Sequence, residues 1–234
     1  MPSSGDPDTS RRRGRPNVAD ERRAAIVEAH IQLISEQGSP TVPMADIAER
    51  AGVGRTAISH FVGDRKALRV ATLHELGRRY ELTIRQAVGP DPTPENIIDL
   101  LFSRAWTIHR STDDRAFALL QATASRHAET RQAVRDSYTL LVDELAAAIT
   151  RHSETPPQRA AAIAYGIVCL SESNTVLLDI GFAEQYSRDA ARLARSMLTT
   201  GWQTTQFNTD NPPDQDHDRT DHYDHCAHDH AQSD

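Results

Sequence analysis

Ile26, Ala29, His30, Leu33 and Ile34 recur at spacings of three and four, the stripe of a helix that buries one face, and Gly38 stands where such a helix stops. A second helix begins at Pro43, whose fixed φ suits a first turn, and points Ile47, Ala48 and Ala51 inward before Gly52 supplies a left-handed residue. A third, short helix runs from Gly54 with Ile58, Phe61 and Val62 on its apolar side; Gly63-Asp64 then breaks and recaps the chain, Asp being a strong N-cap. From Asp64 to about Val88 there is no proline, which predicts one long helix of ~37 Å at 1.5 Å per residue. Gly89-Pro90-Asp91-Pro92-Thr93-Pro94 ends it and marks a hinge or module boundary. Beyond it, residues 95–110, 113–127, 129–151, 157–180 and 187–206 each read as helices. Strand-period alternation and internal repeats are both lacking, so the predicted fold class is all-α.

Composition supports this and adds limits. The 234 residues are 38% apolar but only 5% aromatic, so helices must pack mainly through Leu, Ile, Val and Ala. The longest uncharged apolar run, Ala160 to Leu170, falls short of the ~20 residues a bilayer needs, which predicts no membrane span. No apolar core follows Met1, so a secretory signal is not expected either and the predicted location is cytoplasmic. Cys169 and Cys226 lie in unlike surroundings, which argues against a disulfide framework. The net charge of −7 is strongly partitioned: residues 11–80 carry +5 and residues 208–234 carry −7. The part that seeks a polyanion is therefore N-terminal. Four segments follow: a disordered basic arm over 1–18, a positively charged helical module over 19–66, a second helical module over 67–207, and a disordered His/Asp-rich tail over 208–234.

Two short helices joined at Ala51-Gly52-Val53-Gly54 form a helix-turn-helix, in which the first braces and the second offers its outward face to the major groove. The outward candidates are Arg55, Thr56, Ser59 and His60, with Ile58 and Val62 holding the helix on the core. Arg reads guanine edges bidentately; Thr and Ser suit phosphates or base edges. An ordinary helical hairpin has the same pattern, but the positive charge of this module favours DNA, since phosphate neutralisation is the largest contribution to DNA affinity. Arg11, Arg12, Arg13 and Arg15 form an arm that either enters the minor groove or serves as a solubilising, weakly phosphate-binding tail.

The stretch from Thr41 to Phe61, TVPMADIAERAGVGRTAISHF, continuing into Val62-Gly63-Asp64-Arg65-Lys66-Ala67-Leu68, resembles the signature of the TetR (tetracycline-repressor-like) regulators. With the first helix, the resemblance covers about residues 20–80. It implies an Ω-shaped homodimer: a three-helix helix-turn-helix DNA-binding domain over 19–66 and, over 67–207, a helical ligand-binding and dimerisation domain, in which a long fourth helix leads into a divergent all-α part that binds an effector and dimerises through its last two helices. Gly54 stands where the family usually has Ser, and caps nearly as well. Ser59 replaces a Tyr that commonly touches phosphate, shortening the reach there. His60 matches a position that faces DNA. Arg65 replaces the usual Lys and keeps a cation beside Lys66, where the helix N-terminus also favours phosphate.

In the second module Trp106, His109, Phe117, Tyr138, Tyr165, Cys169 and Asn174 mix apolar walls with hydrogen-bonding groups, as an effector pocket requires, although any one of them taken singly fits an ordinary core or surface position better. Small residues cluster at Ala160, Ala161, Ala162, Ala164 and Gly166 and at Ala190, Ala191, Ala194 and Gly201, compatible with a dimer four-helix bundle or with internal packing. In the tail, His217, His222, His225, His228 and His230 lie beside Cys226 and six aspartates, a donor set suited to Zn, Ni, Co or Cu. No G-x-S-x-G, H-E-x-x-H, G-x-G-x-x-G or Walker A pattern is present, so an enzyme is not expected. The resulting expectation is a repressor released from a near-palindromic double-stranded operator by an unknown small-molecule or metal effector, with no required cofactor. The alternative is a metal-responsive or metal-buffering protein acting through the tail.

Overall fold

A computed structural model of the protein describes residues 18–107 and 111–199. The described residues form helices α1 (Val18–Gln37), α2 (Met44–Arg50), α3 (Arg55–Phe61), α4 (Arg65–Val88), α5 (Pro94–Leu101), α6 (Arg104–Thr107), α7 (Thr112–Gln121), α8 (Ala128–His152), α9 (Pro157–Asp179) and α10 (Glu184–Thr199), and they contain no strand. The all-α expectation is met. Gly38 and Gly52 take left-handed φ of 62° and 63°, ending α1 and turning the chain after α2. Asp64 caps α4, accepting from the Ala67 N–H at 2.8 Å. Thr93 and Asn96 form a reciprocal capping box at α5.

Three boundaries depart from the periodicity. The single helix expected over 95–110 is broken because Ser103 starts a new one: its carbonyl accepts from Thr107 at 2.9 Å and its hydroxyl from the Trp106 N–H at 3.2 Å. The helix expected over 113–127 ends at Gln121, where the chain tightens into three-residue bonds: the Leu120 carbonyl accepts both the Thr123 N–H at 2.9 Å and the Thr123 hydroxyl at 2.7 Å. The last helix starts at Glu184, three residues earlier than expected, directly after the left-handed turn at Gly181.

Two apolar clusters run through the bundle. The first joins Ile26, Ile31 and Ile34 of α1 to Ile47, Ile58, Leu68, Leu73 and Leu76, and extends to Leu120 of α7 and Val134 of α8. The second gathers Ile84, Ile97, Ile98, Leu101, Leu145, Ile163 and Ile167. Tyr80 and Tyr138 pack against both, and α4 passes through both, so the first core does not stop at residue 66. Among the described helices α9 is long and apolar enough to cross a membrane by length and composition. One of its sides, with Ala160, Ala164, Ile167 and Val168, packs into the second cluster.

One polar pair sits inside the first core. His30 of α1 is only 2% exposed, and its Nδ1 lies 2.8 Å from the Thr72 hydroxyl of α4. That hydroxyl donates to the Leu68 carbonyl, so it accepts from a protonated Nδ1 and fixes the neutral tautomer. Burial, reinforced by the charges of Arg65 and Arg69, pushes the His30 imidazolium down to a pKa of about 4. A depressed His contributes stability that is complete above its unfolded pKa and is lost as pH falls from there towards the folded value. At 1.36 kcal/mol per pKa unit, lowering the pH from 7.5 to 5.0 should cost the fold about 2 kcal/mol through this residue. Urea unfolding at the two pH values measures the loss. A His30→Leu variant should lose clearly less over the same interval.

Candidate nucleic-acid interface and effector cavity

The recognition face is built on α3. Ile58 is fully buried and Val62 nearly so, which locks α3 against α1 and α2 as the four-residue spacing requires. From α1, Arg23 donates to the Phe61 carbonyl at the end of α3 at 3.2 Å. Arg50 of α2 makes a two-pronged bond to Glu36 of α1 at 2.9 and 2.8 Å, bracing the supporting helix. Val53 N–H bonds to the Ala48 carbonyl at 2.9 Å across the turn. Gly54 occupies the α3 N-cap with no side-chain bond. With this frame fixed, Arg55, Thr56, Ser59 and His60 are all exposed.

The two cations at the start of α4 differ. Lys66 is 62% exposed, with Glu129 of α8 at 3.6 Å. Arg65 is half-buried and donates to the Val42 carbonyl at 2.6 Å, tying α4 to the segment before α2. The Asp64 carboxylate already takes the Ala67 N–H at this helix N-terminus, so an anion of the chain itself occupies the place expected to favour phosphate. Arg11, Arg12, Arg13 and Arg15 lie outside the described residues.

Behind this module a cavity of about 630 Å³ opens between α4, α7, α8 and α9. Of the expected effector residues, Trp106, Phe117 and Tyr138 line it. Asn174 does not; it is buried with its amide donating to the Ser187 hydroxyl at 3.1 Å, a link between α9 and α10. Tyr165 and Cys169 are also absent from the lining and lie exposed on the outer side of α9, while His109 is outside the described residues. Periodicity missed Tyr80, Gln121, Asp114 and Glu172, all of which line the space. The available signal was Tyr80 itself, an aromatic hydroxyl continuing the buried stripe of Leu73, Leu76 and Ile84.

The polar groups of the wall are already aimed. Tyr80 donates to Asp114 at 2.7 Å and Tyr138 donates to Glu172 at 2.9 Å. Burial, with the neighbouring carboxylates, holds both phenols well above the usual tyrosine range, so they remain hydroxyl donors. Next to Tyr80, Arg79 binds three carboxylates from three helices: Glu28 of α1 at 2.5 Å, Glu75 of α4 at 2.9 Å and Asp113 of α7 at 2.9 Å. Consecutive residues of α4 thus grip consecutive residues of α7, one on the side of the DNA-binding module and one on the cavity. A third close approach is Gly77, where an added Cβ would stand 2.8 Å from the Ser137 hydroxyl of α8.

Among the described residues no group of three or more His, Cys, Asp and Glu side chains could hold a metal ion. His217, His222, His225, Cys226, His228 and His230 lie outside the described residues.

The family model of bacterial regulatory proteins of the tetR family matches residues 26–72, from the middle of α1 into α4. The chain is 38% identical over 88 residues to the HTH-type transcriptional regulator BetI of Brucella suis, covering 36% of this chain and 44% of that relative. Several of the curated relatives are thus matched over less than half of their length. The BetI regulator of Agrobacterium fabrum is matched further, 30% identical over 153 residues, 64% of this chain and 72% of the relative. Among solved structures, a TetR transcription regulator from Haloarcula marismortui superposes with a TM-score of 0.62 at 14% identity, covering 77% of this chain and 97% of the other. The multidrug binding protein EbrR, complexed with imidazole, superposes with a TM-score of 0.55 at 20% identity, covering 74% and 94%. With the family model spanning the helix-turn-helix and the Agrobacterium relative matched well past it, the chain belongs to the TetR family of bacterial regulatory proteins.

Proposed function

We propose that the protein is a cytoplasmic, dimeric transcriptional repressor that holds a near-palindromic DNA site and leaves it when a small molecule occupies the cavity. The observation that carries this reading is that one helix, α4, borders both parts: it begins against the recognition module and lines the cavity with Tyr80 and Ile84. A ligand that favours one tilt of α4 changes the separation of two recognition helices, and such coupling is typically worth about 1–3 kcal/mol. Footprinting on DNA flanking the gene tests it: a protected near-palindrome, with affinity that falls steeply with salt, is expected. Indifference between that duplex and random DNA would defeat the reading.

The dimer reading rests on an apolar surface that the single chain leaves uncovered. On α9 and the turn after it Tyr165 is 64% exposed and Ile180 69%, and on α10 Leu193 is 57% exposed. The small residues divide between two roles. Ala160, Ala164, Ala191 and Ala194 are buried within the chain, and Gly166 admits the Met197 side chain of α10, whereas Ala161 and Ala162 face outward. Exposed apolar stripes of this kind mark association surfaces. The double variant Ile180→Glu, Leu193→Glu should sediment as a single 25.9 kDa chain and lose its preference for a two-half-site operator over one half-site. Persistence of the dimer would place the interface elsewhere.

A further inference from the structure

We infer that the cavity is built for a drug-sized hydrophobic organic cation, an inference that rests on reading it as the effector site. Three observations converge on that class.

The first is the ring system. Tyr80 and Phe117 pack edge to face with centroids 5.5 Å apart, Phe117 and Tyr138 at 6.1 Å, and Tyr80 lies 6.0 Å from Trp106, so four aromatic side chains form a continuous wall. A cation within about 6 Å of a ring centroid is attracted by the ring quadrupole, more strongly once desolvated. Of the chain's twelve Phe, Trp and Tyr residues, four line this one cavity.

The second is the sign of the charge. Among the described lining residues are the carboxylates of Asp114, Glu172, Glu81 and Asp179 against one guanidinium, Arg115. Two of these carboxylates are oriented by the phenol hydroxyls of the same aromatic wall, at 2.7 and 2.9 Å. A buried cation needs such a partner to offset its lost hydration, and an anion placed here would meet carboxylates on three helices, α4, α7 and α9.

The third is size. About 630 Å³ lies in the range of sites for drug-sized ligands, larger than a small ammonium needs. The apolar share of the wall, with Ile84, Leu141 and Val176, asks the ligand for apolar bulk around its charge. A delocalised or sterically shielded charge on several rings satisfies all three conditions.

Tetraphenylphosphonium and tetraphenylborate test this directly, because they share one shape and carry opposite charge. Titration calorimetry on the full chain should show the phosphonium binding at least tenfold more tightly than the borate. Glu172→Gln should weaken phosphonium binding at least fivefold and narrow the gap between the two ions. Ethidium, flat where the phosphonium is tetrahedral, covers a cavity of another shape. Equal or tighter binding of the borate overturns the inference, and so does failure of both cations to bind. Footprinting in the same preparations separates this from the repressor reading. Cation binding without a protected site would leave the inference standing and remove the repressor; a protected site with no cation binding would do the reverse.

Discussion

Arg55→Ala combined with His60→Ala is expected to abolish discrimination between operator and random duplex while leaving the fold intact. Both side chains are exposed on α3, and neither carries the packing of that helix, which rests on Ile58 and Val62. A base-edge contact is worth about 1–3 kcal/mol of discrimination, so two together predict roughly 30-fold to 10⁴-fold weaker operator binding. Fluorescence anisotropy with operator and random duplexes over a salt series measures it. If these residues read bases, operator affinity collapses towards the random value. If they touch only phosphate, both affinities fall together and the salt slope drops by about one per lost contact. Unchanged operator affinity would move recognition off α3. Thermal melting of the variant should match that of the parent chain, since no buried group is disturbed.

The second large effect is expected at Arg79. Its replacement by Ala leaves Glu28, Glu75 and Asp113, from three helices, facing one another without their shared cation. The guanidinium side chain is 30% exposed, so solvent takes up part of the loss. About 2–3 kcal/mol is expected, below the 3–5 kcal/mol of a fully buried pair. For a chain of this size that is a fall in Tm of roughly 4–12 °C. The same change should shrink the difference in operator affinity with and without tetraphenylphosphonium, because Arg79 is the tie between α1 and the stretch of α7 that carries Asp114. A double-mutant cycle with Asp113→Asn isolates that tie. A variant that melts as expected yet responds fully to the cation would leave Arg79 a purely structural group. The bond to Arg79 lowers the pKa of Glu28, and bonds to Arg78 first and Arg79 second lower that of Glu75, so the stabilising contribution that passes through Arg79, mainly at Glu28, is present above the normal carboxylate pKa and fades as pH falls below it. Arg79→Ala should therefore be less acid-sensitive in that range than the parent chain.

The DNA-binding module was legible because its determinants are local. The stripe from Ile26 to Ile34, the left-handed Gly52, the Asp64 cap and the Ile58 and Val62 pair each sit within a few residues of what they control, and all behave as the spacing requires. The cavity was half legible. Trp106, Phe117 and Tyr138 were identifiable as rings in a chain with few of them. Asp114 and Glu172 were not, because what makes them part of a site is a phenol 34 residues away in each case, and no local pattern encodes that distance. Tyr165 and Cys169 were misplaced because the apolar stretch of α9 has two apolar sides, one packed inside the chain and one left outside. Periodicity marks both alike. The break at Ser103 was missed for a related reason: a serine within an apolar run reads as tolerated until its hydroxyl and carbonyl are seen capping the next turn.

The close approach at Gly77 gives α4 the mechanics of a lever. With no side chain at that point, the helix can bear directly on Ser137 of α8, and the contact is a natural fulcrum. Arg65 lies 12 residues to one side and Ile84, in the cavity wall, 7 to the other, which at 1.5 Å per residue makes arms of about 18 and about 10 Å. Turned as a rigid rod about that contact, α4 would convert a shift of about 1 Å at Ile84 into about 1.7 Å at Arg65, a mechanical advantage that comes from where one glycine falls along a 24-residue rod.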